Sequence, residues 1–137
     1  MSSRLNPYLA FRNNAREAMS FYQQVFGGEL AISTFGDFGS ADEMTDPNGV
    51  MHAVLETPLG FTLMASDAPN HMEFTVGTNI TLSISGTDAA ALRDYFERLM
   101  DDGAIQMPLQ KQVWGDEFGM GTDRFGIAWM VNITQAD

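Results

Sequence analysis

Apolar and polar positions along the chain change period twice, in the same order each time. From position 14 the segment NAREAMSFYQQVF places Ala18, Phe21, Tyr22, Val25 and Phe26 at helical spacing, one apolar stripe that requires a sheet beneath it. From position 88 the segment DAAALRDYFERLM does the same through Leu92, Tyr95, Phe96, Leu99 and Met100. Gly27-Gly28 and Asp102-Gly103 end the two helices, glycine being the residue that accepts a left-handed cap. Asn14 with Glu17 fits a capping box, and Asp88 fits a simple N-cap.

Short strand-like runs surround both helices. PYLAF, residues 7–11, precedes the first, and NITLSIS precedes the second, where Ile80, Leu82 and Ile84 alternate with Thr81, Ser83 and Ser85. Strands are expected after the first helix over 30–35, then 50–57 and 61–65 as a hairpin closed through Pro58-Leu59-Gly60. After the second they are expected over 106–113, about 117–121, and 127–133. Each half reads strand, helix, three strands, and such a repeat is a strong guide to architecture. The expectation is an α+β fold: two tandem βαβββ modules, about 5–67 and 78–135, in a single domain with a curved mixed sheet and helices on its outer face. Matching Phe21-Tyr22 to Tyr95-Phe96 aligns Pro7, Leu9 and Phe11 with Thr81, Ser83 and Ser85 on the inner, concave face.

Size and charge narrow the function. A chain of 137 residues, 45% hydrophobic, has room for one core but not two ordinary domains. Without cysteine, disulfides, thiolate metal sites and a cysteine nucleophile are excluded. A net charge of -11 with seven Lys and Arg argues against nucleic acid and anionic membranes, because neither phosphate array would be neutralised. No basic-then-apolar leader and no run of bilayer length is visible, so a cytoplasmic location is expected.

Few residues carry candidate chemistry. His52 shares a strand face with Val54 and Glu56, and a His and carboxylate so placed can move a proton or polarise a substrate, the carboxylate fixing the imidazole tautomer. A half-buried His bonded near a sheet edge explains the same pattern. His71, in SDAPNHMEFT, reads as a surface residue unless that loop folds back to join His52 with Glu56 or Asp67 around a metal. The acidic, Gly-rich segment 36–49 reads as a lid, a surface loop or a dimer contact, without the spacing of a calcium loop. VWGDEFGMGTDRFG brings Trp114, Asp116, Phe118 and Asp123 among glycines that mark either tight turns or a pocket rim where aromatics stack on a planar ligand. Ten methionines, Met64 and Met130 among them, suit a soft apolar core or cavity floor.

The duplicated unit resembles the vicinal oxygen chelate superfamily, which includes glyoxalase I, bleomycin-resistance proteins, extradiol dioxygenases and fosfomycin-resistance enzymes. NPYLAFRNNAREAMSFYQQVFGGEL, LMASD, VWGDEFG and TDRFGIAWMVN resemble its PhnB-like branch in particular, in order and over nearly the whole chain. The resemblance implies one divalent metal held by His, Glu or Gln of the first and last strands of each unit, acting as a Lewis acid on vicinal oxygens. Carried over, those positions read Pro7, Met64, Asn79 and Met130; a one-residue slip brings Asn6, Tyr8, Leu63, Ala65, Thr78, Ile80, Trp129 and Val131. Neither set contains a His or a carboxylate, so no metal and no cofactor are expected. The resemblance therefore points to a homodimeric protein binding an apolar or aromatic small molecule through Phe11, Met64, Thr81, Ser83, Trp114, Phe118 and Met130. The alternative is a divergent lyase, isomerase or transferase using His52 and Glu56, or one divalent metal on other ligands. A ubiquinone methyltransferase, the older name attached to the branch, would need a methyl-donor site for which no Gly-rich loop or doubly wound sheet is visible.

Overall fold

The computed structural model describes residues 3–39 and 46–135. It divides into two compact units, one ending at Thr75 and the next starting at Val76. The first unit contains β1 (Tyr8–Phe11), α1 (Ala15–Phe26), β2 (Glu29–Thr34), a short 3-10 helix (Gly36–Phe38), β3 (Val50–Glu56) and β4 (Thr62–Asp67). The second contains β5 (Thr81–Gly86), α2 (Ala89–Leu99), β6 (Ala104–Lys111), β7 (Glu117–Thr122) and β8 (Ala128–Ile133). The repeat is therefore present as expected, element by element.

Each unit has one four-stranded mixed sheet, ordered β1-β4-β3-β2 in the first and β5-β8-β7-β6 in the second. The first strand of each unit runs parallel to the last, and the remaining pairs are antiparallel. The helix of each unit connects strands at opposite edges of its sheet, so its apolar stripe covers one sheet face and leaves the other bare. In the first unit Met19, Tyr22, Val25 and Phe26 of α1 are buried, as are Leu9, Phe11, Ala53, Leu55, Leu63 and Ala65 from the strands. In the second, Leu92, Phe96 and Leu99 are buried, with Ile84, Trp129, Val131 and Ile133. Each large side chain removed from water in this way contributes about 1.5–3 kcal/mol.

The closing turns also repeat. Thr57 N–H donates to the Phe61 carbonyl at 3.1 Å and Gly60 N–H to the Thr57 carbonyl at 3.0 Å; Asp123 with Ile127 and Gly126 with Asp123 do the same at 2.9 and 3.0 Å. Gly28 permits a second close approach: with φ of +99°, an added Cβ would lie 2.0 Å from the Glu56 carbonyl oxygen. Gly103, its counterpart after α2, sits against the Thr122 carbonyl oxygen at 2.4 Å by the same measure.

One helix start is as expected and the other is not. Asp88 caps α2 with its own side chain, accepting from Ala91 N–H at 3.2 Å. Asn14 makes no side-chain cap on α1. Asp67, at the end of β4, does this instead: Oδ1 accepts from Ala15 N–H and Oδ2 from Val50 N–H, both at 2.9 Å, in a residue only 6% exposed. A carboxylate from the sheet thus satisfies the helix N-terminus and the first amide of β3 together. Reciprocal capping of the kind expected at Asn14 and Glu17 occurs before the 3-10 helix, where Thr34 Oγ1 accepts from Asp37 N–H and Asp37 Oδ2 from Thr34 N–H. The acidic segment 36–49, expected as a lid, a surface loop or a dimer contact, lies partly outside the described residues, at 40–45.

Candidate functional site

The bare face of each sheet can be read from its register. In the first unit Tyr8, Met64, Val54 and Ala31 form one row across all four strands, each paired with the next. The adjoining positions are Ala10 paired with Ser66, and His52 paired with Ser33. In the second unit three rows follow in parallel. Thr81, Ala128, Thr122 and Ala104 make the first; Ser83, Met130, Met120 and Met107 the second; Ser85, Asn132, Phe118 and Gln110 the third. Thr81, Ser83, Phe118 and Met130 therefore share a face, as the alternation of β5 requires. Met64 occupies in the first unit the place that Met130 has in the second.

Phe11 does not join this face. It is 2% exposed and lies with Leu9 on the side that α1 covers, while Tyr8 and Ala10 take the opposite side. The reason is one residue of chain. Arg12, Asn13 and Asn14 connect β1 to α1, with Asn13 in the left-handed region at φ 69°, whereas only Thr87 and Asp88 connect β5 to α2. Aligning the repeats on their helices therefore slips the first strand by one, and a one-residue slip exchanges its faces. Tyr8, not Leu9, matches Ser83.

Tyr8 is the residue that the periodicity concealed. Its hydroxyl lies 3.1 Å from His52 Nδ1, with ring centroids 5.7 Å apart and planes tilted by 35°. Because β4 separates β1 from β3, the phenol spans the intervening strand above Met64 and Ser66. Tyr8 remains 52% exposed and His52 is half-buried, so the pair is open to solvent rather than part of a core. Glu56 lies on the same face as His52 but four residues further along β3, opposite Glu29 and Thr62. Among the described residues it makes no hydrogen bond to the imidazole; the partner on Nδ1 is the phenol. The signal available in the sequence was the polar tip on Tyr8 between two helix-facing apolar residues.

The remaining candidates separate. His71 is exposed on the segment after β4, which Arg12 anchors by donating to the Pro69 and Met72 carbonyls while its guanidinium lies 5.5 Å from the Phe74 ring centre. Asp67 faces the helix and spends both oxygens on backbone amides, so it does not meet His52. Among the described residues no three His, Asp or Glu converge on one point. Asp123 is buried and accepts from Phe125 N–H, Ile127 N–H and Trp129 Nε1, which makes it the brace of the β7-β8 turn. Asp116 accepts from Asn132 Nδ2 at 3.1 Å. Trp114, 58% exposed at the β6-β7 turn, lies edge-on to Phe118 with centroids 6.1 Å apart. A depression of about 410 Å³ at the start of α1, between Asn13, Arg16, Asn48 and Asp67, lies on the helix side and not on the bare face.

Two mixed sheets, each built strand-helix-strand-strand-strand with one bare face, define a glyoxalase/bleomycin-resistance/dioxygenase fold. A domain of that description from Frankia sp. EAN1pec aligns over 98% of this chain and 99% of its own with a TM-score of 0.66, at 15% identity, a likeness of fold alone. The 3-demethylubiquinone-9 3-methyltransferase family model matches residues 3–132, and the chain belongs to that family, the PhnB-like branch of the superfamily. Protein PA1353 from Pseudomonas aeruginosa is 39% identical, with a TM-score of 0.85 over 98% of this chain and 100% of its own. A PhnB protein from Bacillus cereus is 27% identical, with a TM-score of 0.77 over 96% of this chain and 100% of its own. No helix among the described residues is long and apolar enough to cross a membrane.

Proposed function

We infer that this chain binds an apolar or aromatic small molecule on the bare faces of its sheets and has lost the superfamily's metal chemistry. One observation carries the reading: the places where the first and last strands of a unit pair hold Tyr8 beside Met64 and Ser83 beside Met130. A phenol, a hydroxyl and two thioethers do not suit Zn, Mn, Ni or Fe(II), which prefer imidazole and carboxylate. They do suit an amphipathic ligand, with Met130, Met120 and Met107 as a polarisable floor and Trp114, Phe118, Thr81 and Ser83 around it. Phe11 has no part in this reading, and neither has Glu56 as a partner of the His52 imidazole, whose Nδ1 meets Tyr8.

The family description names a methyltransferase. Each unit's sheet has a single parallel pair, and the N-terminus of its helix donates to an aspartate carboxylate and does not open from a Gly-rich loop. That arrangement supports binding over methyl-donor chemistry. Self-association is part of the same reading: β6 is an edge strand with Ile105 53% and Met107 37% exposed, an edge that a second copy would cover. Light scattering at micromolar concentration is expected to give a dimer mass, and a monomer would overturn that part.

The binding reading is tested by titrating the purified protein with a panel of planar aromatics alongside elemental analysis. Saturable binding that Met64→Lys or Met130→Lys abolishes, with far-UV circular dichroism unchanged, is the expected result. A stoichiometric transition metal, or binding indifferent to both substitutions, would overturn it.

A further inference from the structure

The Tyr8-His52 pair links β1 to β3 on an open face of its sheet. Both side chains stand on the face that α1 leaves bare, Tyr8 is 52% exposed, and among the described residues neither anchors a turn or a helix end. In the second unit Phe118 stands where the repeat aligns His52, since each is two residues from the strand position paired with the row methionine: Val54 with Met64, and Met120 with Met130. An aromatic ring alone therefore fills this place in the repeat. What His52 adds is a pair of nitrogens, one of which already has the phenol 3.1 Å away.

The chemistry of that contact sets the other nitrogen. A phenol oxygen delocalises its lone pairs into the ring and is a weak acceptor, while a neutral imidazole nitrogen is a strong one. In a neutral imidazole the stronger bond has the Tyr8 O–H donating to His52 Nδ1, the tautomer that carries the ring proton on Nε2. Nε2 has no partner among the described residues. In that tautomer an N–H stands on the bare face, with Met64 and Val54 in the adjoining row.

We propose that His52 Nε2–H is the polar anchor for a ligand carbonyl or carboxylate oxygen, with Tyr8 as the positioning residue that keeps the proton on Nε2. The ligand class this selects is a flat, largely apolar carbonyl compound: the ring system lies on the thioether and aliphatic rows, and the oxygen accepts from His52. The proposal rests on the binding reading above and adds to it the functional group recognised. The chain's net charge of -11 disfavours a fully anionic ligand, which favours a neutral carbonyl over a carboxylate.

The probes are 9-fluorenone and fluorene, which share a ring skeleton and differ by one carbonyl. Wild-type protein is expected to bind fluorenone about tenfold more tightly than fluorene, the share of one neutral hydrogen bond. The infrared carbonyl stretch of bound fluorenone is expected at lower frequency than in an apolar solvent. His52→Phe, which places in this strand the residue the second unit already carries, should leave fluorene binding intact, equalise the two affinities and abolish the shift. His52→Gln, whose amide N–H reaches a similar position, should restore part of both. Tyr8→Phe should keep the protein folded but spread the proton over both nitrogens, visible in the nitrogen-15 spectrum of a chain with only two histidines. Equal affinity for the two probes in the wild type, or an unchanged preference in His52→Phe, would overturn the anchor and leave the binding surface standing. Binding of neither probe would remove both.

Discussion

The two units solve the same problem, starting a helix over a sheet, with carboxylates from different places. In the second unit Asp88 is both the last residue of the connection and the cap of α2, so the device is local. In the first unit the connection is one residue longer, Asn14 caps nothing, and Asp67 reaches the helix from the far end of β4. The same carboxylate also holds Val50, so β3, β4 and α1 meet on one buried group. The lesson is that a repeat conserves the geometry of a junction and not the residue that makes it. The first unit joins three elements through one side chain, where the second caps its helix locally.

That difference predicts the largest effects. Asp67→Ala removes a charged acceptor from two amides at once and leaves both buried; a loss of about 3–5 kcal/mol is expected, read from urea denaturation. Asp88→Ala should cost only about 1 kcal/mol, the ordinary value of a cap that water can replace. Equal losses at the two positions would break the contrast, and so would a larger loss at Asp88. Asp67→Asn, which keeps one acceptor, belongs between them.

Gly28 and Gly103 sharpen the comparison from the other end of the helices. Both press against a carbonyl of the neighbouring hairpin, but only Gly28 combines that contact with positive φ. Gly28→Ala should therefore be the more damaging, by about 1 kcal/mol over Gly103→Ala, because the strain of the left-handed region adds to the clash. Thermal denaturation of the two variants decides it, and the reverse order would mean that the hairpin of the first unit yields more easily.

Much of this was legible from periodicity alone. The helical stripes through Tyr22 and Phe96 set both helices and their covered faces, and the clean alternation of Thr81, Ser83 and Ser85 placed the bare face of the second sheet before any coordinate. In the first unit the strand PYLAF has only the Tyr8 hydroxyl as a polar mark, so alternation has little to act on, and its face followed from the repeat. The extra residue at Asn13, left-handed in φ, carries no periodic signal, and it moved Phe11 into the core and Tyr8 out of it. The Tyr8-His52 contact, between residues 44 apart and across an intervening strand, depends on register that no local pattern specifies. Asp67 was hidden for the same reason: its partners are amides, which any residue supplies.

The smallest effect concerns the short 3-10 helix of the first unit, which has no counterpart in the second. The backbone N–H of Thr34, and then its hydroxyl, hold the Asp37 carboxyl below the usual carboxylate range. A carboxyl whose folded pKa is depressed contributes stability that is present above its unfolded pKa and lost as pH falls through the lower, folded value. The group is fully exposed, so water screens the gain, and the expected sign is in the titration rather than in global unfolding. Carbon-13 titration of the Asp37 carboxyl should give a midpoint below 3.8, and Thr34→Val should move it upward without reaching that value, because the backbone N–H remains. A midpoint unmoved by the substitution would assign the whole effect to the backbone amide, and one at the ordinary value in the wild type would mean that the reciprocal turn is open in solution.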